Sequence, residues 1–176
     1  HAIAKAVAEP IHLKDQLENV LEILKTRSAM ERGMISILDR ETGDASLDVA
    51  CGVDIEGLDI SYKPGEGITG QVAQTARPMA IANLGSESLF LDRTGARRDL
   101  DRSELAFLCV PIVYDGQVVG VLSADKLARD VDKLEDELGM LTEVAFLIAK
   151  AVHMRRLEDE NNQLKTMIHG CHSPSN

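Results

Sequence analysis

The sequence predicts an α+β fold: a six-stranded antiparallel sheet, terminal helices on one face, pocket-forming loops on the other, and a C-terminal coiled-coil helix. Three observations carry this. Residues 107–126, FLCVPIVYDGQVVGVLSADK, form two β-branched arms around Asp115-Gly116. Apolar residues recur at helical spacing near both ends of the chain. The stretch between is rich in glycine and short strands.

The hairpin sets the rest. Asp115-Gly116 suits a tight I′ turn, whose two central residues need positive φ. Phe107, Cys109, Pro111 and Val113 lie on one side of the first arm; Leu108, Val110, Ile112 and Tyr114 lie on the other. Both sides are largely apolar, so the hairpin is covered twice. A two-residue turn pairs Tyr114 with Gln117 and sets Pro111 opposite Gly120. Pro111 has no N–H, so the strand on its outer side must stop short or bulge. Polar residues enter the second arm only at its end, as Ser123, Asp125 and Lys126, which marks that end for a pocket.

In chain order, Ile3 and Val7 predict a short helix broken at Pro10. Leu13, Leu17, Val20, Leu21 and Leu24 predict an amphipathic helix over 13–26. Residues 34–38 and 46–50 form a hairpin around the 41–44 turn, and 58–62 a weaker third strand. Gly65, Gly67 and Gly70 bend a loop into a short helix over 68–75, and Met79-Ala80-Ile81 is a brief strand. Residues 86–103 lack a period and read as a connection with a helical turn near 93–98. From Leu134 to Val152 a strong apolar face predicts a long helix. Met154, Leu157, Asn161, Leu164 and Ile168 then follow at coiled-coil spacing, with Asn161 at a position that fixes two strands in register. The expected division is 1–152 folded domain, 153–169 coiled-coil linker and 170–176 disordered tail.

Composition excludes several classes. A 176-residue chain buries about 70% of its unfolded surface and needs no disulfides. Its three cysteines are odd in number and scattered, which implies free thiols and a cytoplasmic setting. A net charge of −10 and 3% aromatic residues argue against nucleic-acid contact. No apolar run reaches the length of a membrane span, and no signal peptide is visible.

The segment Gly65-Glu66-Gly67-Ile68-Thr69-Gly70, followed by a hairpin ending Gly120-Val121-Leu122-Ser123-Ala124-Asp125, resembles the GAF domain. Residues 90–96, 107–112 and 149–157 resemble the amino-terminal sensor domain of NifA-like nitrogen-fixation activators. The resemblance implies a cytoplasmic regulatory module, homodimeric through Met154, Leu157, Asn161, Leu164 and Ile168. It would control an ATPase domain that acts on sigma-54 RNA polymerase, while a helix-turn-helix domain binds DNA; neither has a motif in this chain. It also names 2-oxoglutarate as a candidate ligand and a regulatory protein as an alternative partner.

The candidate ligand residues are Arg93, Arg97, Cys109 and Ser123. Guanidinium groups match carboxylates in two-pronged fashion, so the Arg93, Arg97, Arg98, Arg102 cluster suits a dicarboxylate; the plainer account is a solvated loop paired with its own aspartates. Cys109 is a buried hydrophobe or, as in iron-bearing GAF sensors of nitric oxide, a metal ligand with Asp92, Asp99 or Asp101. Asp125-Lys126 and Asp136-Glu137 match cyclic-nucleotide GAF motifs in part, without the intervening Phe; the simpler reading of Asp125-Lys126 is a strand-end charge pair. The glycine loop lacks a P-loop ending and reads as a turn. His169-Gly170-Cys171-His172 offers three ligands where a closed zinc site wants four. No catalytic constellation, metal site or cofactor is expected.

Overall fold

A computed structural model describes residues 2–8 and 12–171. The expected break at Pro10, His172 of the terminal cluster and residues 172–176 of the expected tail lie outside the described residues.

Helices α1 (Ala2–Ala8) and α2 (Leu13–Ser28) lead into strands β1 (Arg32–Leu38), β2 (Ala45–Cys51) and β3 (Ser61–Tyr62). Helix α3 (Gly67–Thr75), strands β4 (Met79–Ile81), β5 (Leu105–Tyr114) and β6 (Gln117–Leu127), and helix α4 (Leu134–Cys171) complete the chain. The sheet has six strands in the order β3-β2-β1-β6-β5-β4, all neighbours antiparallel.

The β5–β6 hairpin turns as expected. Asp115 and Gly116 have φ of 51° and 75°, the left-handed values an I′ turn requires. Register departs from the simple count. The ladder shifts between Ile112 and Val113, so Pro111 faces Val121 and Gly120 faces Ile112. Beside the shift, Gly120 is pressed against β1: a Cβ there would lie 2.6 Å from the Ser36 carbonyl oxygen, so only glycine fits. On the other side, β4 pairs only with Phe107, Leu108 and Cys109 and ends before Pro111, as the missing N–H demands.

Two apolar clusters flank the sheet. Leu17, Leu21 and Leu24 of α2 and Leu141, Ile148 and Val152 of α4 pack on Ile35, Leu108, Val110 and Leu122. On the other face, Ile68 and Val72 of α3 pack on Phe107, Cys109 and Val121. The glycine motif has a steric cause. Gly65 and Gly67 have φ of 80° and 63°. A Cβ on Gly70 would lie 2.3 Å from the Lys63 carbonyl oxygen, so only glycine lets α3 start against that loop.

Three expectations need correction. The third strand is only Ser61–Tyr62, because 52–57 bend and turn and 58–60 lack regular structure. No helical turn forms at 93–98; that stretch is a series of tight turns. Helix α4 is one unbroken 38-residue element through Cys171, so Gly170 and Cys171 are helical, not tail.

Candidate functional site

The face of the sheet opposite α4 presents its polar side chains in rows. Asp125 of β6 stands between Arg32 of β1 and Phe107 of β5. One step along, Ser123 stands between Met34 and Cys109. Side chains alternate along a strand, so Asp125 and Ser123 share a face while Lys126 points to the helices. The expected Asp125–Lys126 charge pair therefore does not form. Lys126 Nζ donates to Glu137 of α4 at 2.7 Å. Asp125, with no exposure, takes partners from elsewhere.

Those partners are two arginines. Arg32 Nε donates to Asp125 Oδ2 at 2.9 Å, and Arg97 Nε donates to the same oxygen. Arg97 arrives from the 86–103 connection and is 1% exposed, so the solvated-loop reading fails for it. Its Nη1 donates to Asp92 Oδ1 at 3.1 Å, and its backbone N–H donates to Asp92 Oδ2. Asp92 holds a φ of 44° and Gly95 one of 68°, which folds the loop back far enough for one carboxylate to bind both groups. The guanidinium also lies 4.9 Å from the Phe90 ring centre and 5.7 Å from that of Phe107. A buried charge needs both its counter-charges and its hydrogen bonds, and Arg97 has them at Nε and Nη1. Arg97 Nη2, Arg32 Nη2 and Asp125 Oδ1 have no hydrogen-bond partner among the described residues.

Arg93 guards the rim. It donates to the Ser61 carbonyl oxygen and to Glu66 of the glycine loop, and lies 4.8 Å from the Tyr62 ring centre. The hydrogen bond from Arg93 holds the Glu66 carboxyl below its usual range. Burial pushes the Tyr62 hydroxyl above its ordinary value, with Arg93 opposing.

Arg93, Arg97 and Ser123 thus line one cavity, closed by Phe90, Phe107 and Ile68. Its volume is about 20 Å³, room for a single water. Cys109 has no exposure and packs in the α3 cluster beside it. Burial pushes its thiol far above the ordinary value, as expected of a structural cysteine. Among the described residues no group of three or more His, Cys, Asp or Glu could hold a metal. Arg32 and Phe90 are residues the sequence reading missed, and Asp125, marked there for a pocket, was not recognised as the counter-charge of Arg97. A lone Asp inside the apolar β6 run was the available clue, because a buried carboxylate requires a cation.

The residues expected to form a coiled coil lie on the far half of α4. Met154, Leu164 and Ile168 are exposed by 44%, 57% and 55%. Phe146, 80% exposed, lies about five helical turns before Leu164 and on the same face. Among the described residues no helix is long and apolar enough to cross a membrane.

The GAF domain family model matches residues 12–152. The chain belongs to the GAF domain family. It is 33% identical over 166 residues to the Nif-specific regulatory protein of Azospirillum brasilense, covering 93% of this chain and 26% of that protein. It is 30% identical over 187 residues to nitrogen fixation protein VnfA of Azotobacter vinelandii, covering 100% of this chain and 36% of that one. This GAF chain therefore spans about a third or less of those relatives. Among solved structures, the A. aeolicus nlh2 GAF domain in an inactive state superposes with a TM-score of 0.76 at 28% identity, covering 87% of this chain and 92% of that one.

Proposed function

We propose that this GAF domain is the cytoplasmic sensor of a NifA-like activator, controlling a downstream ATPase that acts on sigma-54 RNA polymerase. The observation that carries the ligand-sensing part is the Arg97 clasp. Arg97 holds two carboxylates, Asp92 and Asp125, in a closed cavity with Arg93 at its rim. A dicarboxylate such as 2-oxoglutarate can replace those internal carboxylates when the 86–103 loop swings out. The ligand then favours the open loop because only that state gives it access to the Arg97 donors, which the closed 20 Å³ cavity shuts off. Helix α4 crosses the other side of the same sheet and carries the change to a homodimeric coiled coil through Met154, Leu157, Asn161, Leu164 and Ile168. The exposed Phe146 on the same helix face supports a second copy as the cover.

Thermal unfolding with and without millimolar 2-oxoglutarate tests this, with succinate and cyclic nucleotides as controls. Ligand at a hundred times its dissociation constant adds about 2.7 kcal/mol, and the midpoint rises by several degrees. Arg93→Gln should remove the rise. A second reading is favoured by the 20 Å³ cavity: the pocket stays shut and the domain is an interaction module for a regulatory protein. A flat response across the whole panel would select it.

A further inference from the structure

A larger cleft of about 390 Å³ lies elsewhere, between the β1–β2 turn and the middle of α4. Asp39 and Arg40 of the turn form one wall; Arg156, Asp159 and Glu160 of α4 form the other. Arg156 is 7% exposed, and its Nε is buried with no hydrogen-bond partner among the described residues. Burial, and then repulsion from Arg40, hold this guanidinium below its usual range. An unpartnered buried donor is costly unless something else occupies it.

The carboxylates nearby are largely committed. Asp48 accepts two bonds of 3.1 Å from Arg155, and Asp159 pairs with the same arginine at 3.3 Å. Asp39 accepts the backbone N–H groups of Glu41 and Thr42, both at 2.9 Å. Only Glu160 stands near Arg40, and at 3.7 Å it is outside hydrogen-bond distance. Arg40 therefore holds one loose carboxylate, and Arg156, although Glu160 and Asp39 both lie near enough to attract it, has no ion pair or hydrogen bond at its buried Nε among the described residues. A cation reading has no support, since no metal-holding group occurs among the described residues. The cleft also stays open in a dimer. With Met154 and Asn161 at a positions, Arg156 and Asp159 fall at c and f, on the outer face of the helix.

We propose that this cleft is a second effector site, taking a small dianionic oxyanion group between Arg40 and Arg156. A phosphate monoester or a dicarboxylate carries that chemistry. Two guanidinium forks match the charge and the geometry of such a group. The bound anion would displace Glu160 from Arg40 and tie the β1–β2 turn to α4. The site is independent of the Arg97 cavity.

The test is titration calorimetry at fixed ionic strength, using inorganic phosphate and succinate separately, with the Arg156 Nε resonance followed by NMR. Saturable binding of either probe that moves this resonance is expected. Phosphate alone selects the phosphate source; succinate alone selects the dicarboxylate. Arg156→Lys and the surface variant Arg40→Gln should each weaken binding at least tenfold. Arg129→Gln, which removes the same charge from another exposed position, should not. Arg40→Gln keeps the test decisive if the Arg156 variant fails to fold. No saturable response to either probe, or binding unchanged in Arg40→Gln, overturns the proposal.

Discussion

Arg97 Nε and Arg32 Nε both donate to one oxygen of Asp125, so a single buried carboxylate joins the 86–103 loop to the start of β1. Removing one member of such a set leaves the others charged and dry. Asp125→Ala should therefore cost about 3–5 kcal/mol in urea unfolding. The double variant Arg97→Met, Asp125→Leu should lose less than the sum of its parts. Full additivity would mean that the pair is not coupled in the folded protein.

Gly70 is predicted to be intolerant. Its Cβ would meet the Lys63 carbonyl oxygen at 2.3 Å, and backbone cannot yield as a side chain can. Gly70→Ala should lower stability by about 1–3 kcal/mol and loosen the Glu66–Arg93 contact. Gly139→Ala, where a Cβ meets nothing within 4 Å, should instead stabilise the helix by about 0.5–1 kcal/mol. Parallel denaturant melts of the two variants check the contrast in sign.

The two buried thiols set a pH dependence. Burial and the hydrogen bond to Glu22 push the Cys51 thiol up to about 11, and burial raises Cys109 further. A thiol raised in the folded state contributes stability below its unfolded value and loses it as pH climbs through the folded one. Stability should fall between about pH 9 and pH 11. Cys51→Ala should flatten that slope, and melts across the range would read it. An unchanged slope would assign the loss to other groups.

Asn161→Leu should raise the stability of a two-stranded coil and loosen its choice of oligomer. Sedimentation of the variant against the parent reads both effects. An unchanged dimer population with no higher species would remove that role for Asn161.

The sheet was legible because its signals are local and periodic. The Asp115-Gly116 turn, the apolar arms around it and the α2 face each follow from neighbouring residues, and their order leaves few ways to build one sheet. The candidate site was half legible. Arg93, Arg97 and Ser123 meet in space, yet nothing in their spacing revealed that Asp125 would neutralise Arg97. That contact spans 28 positions and depends on how the 86–103 loop folds over the sheet. The Pro111 register was missed for a similar reason. The shift sits where Gly120 lies close against Ser36 of β1, an approach between strands far apart in sequence that a local count cannot show.

Helix α4 has no break between the sheet it packs on and its far end. Beyond Val152, 19 further residues extend about 28 Å at 1.5 Å per residue. A tilt of about 5° at the domain would displace the tip by roughly 2.5 Å over that length. Under the proposed function the domain is the short arm of a lever. A rearrangement too small to alter the sheet is then read at the far end of α4 as a displacement on the scale of an atom.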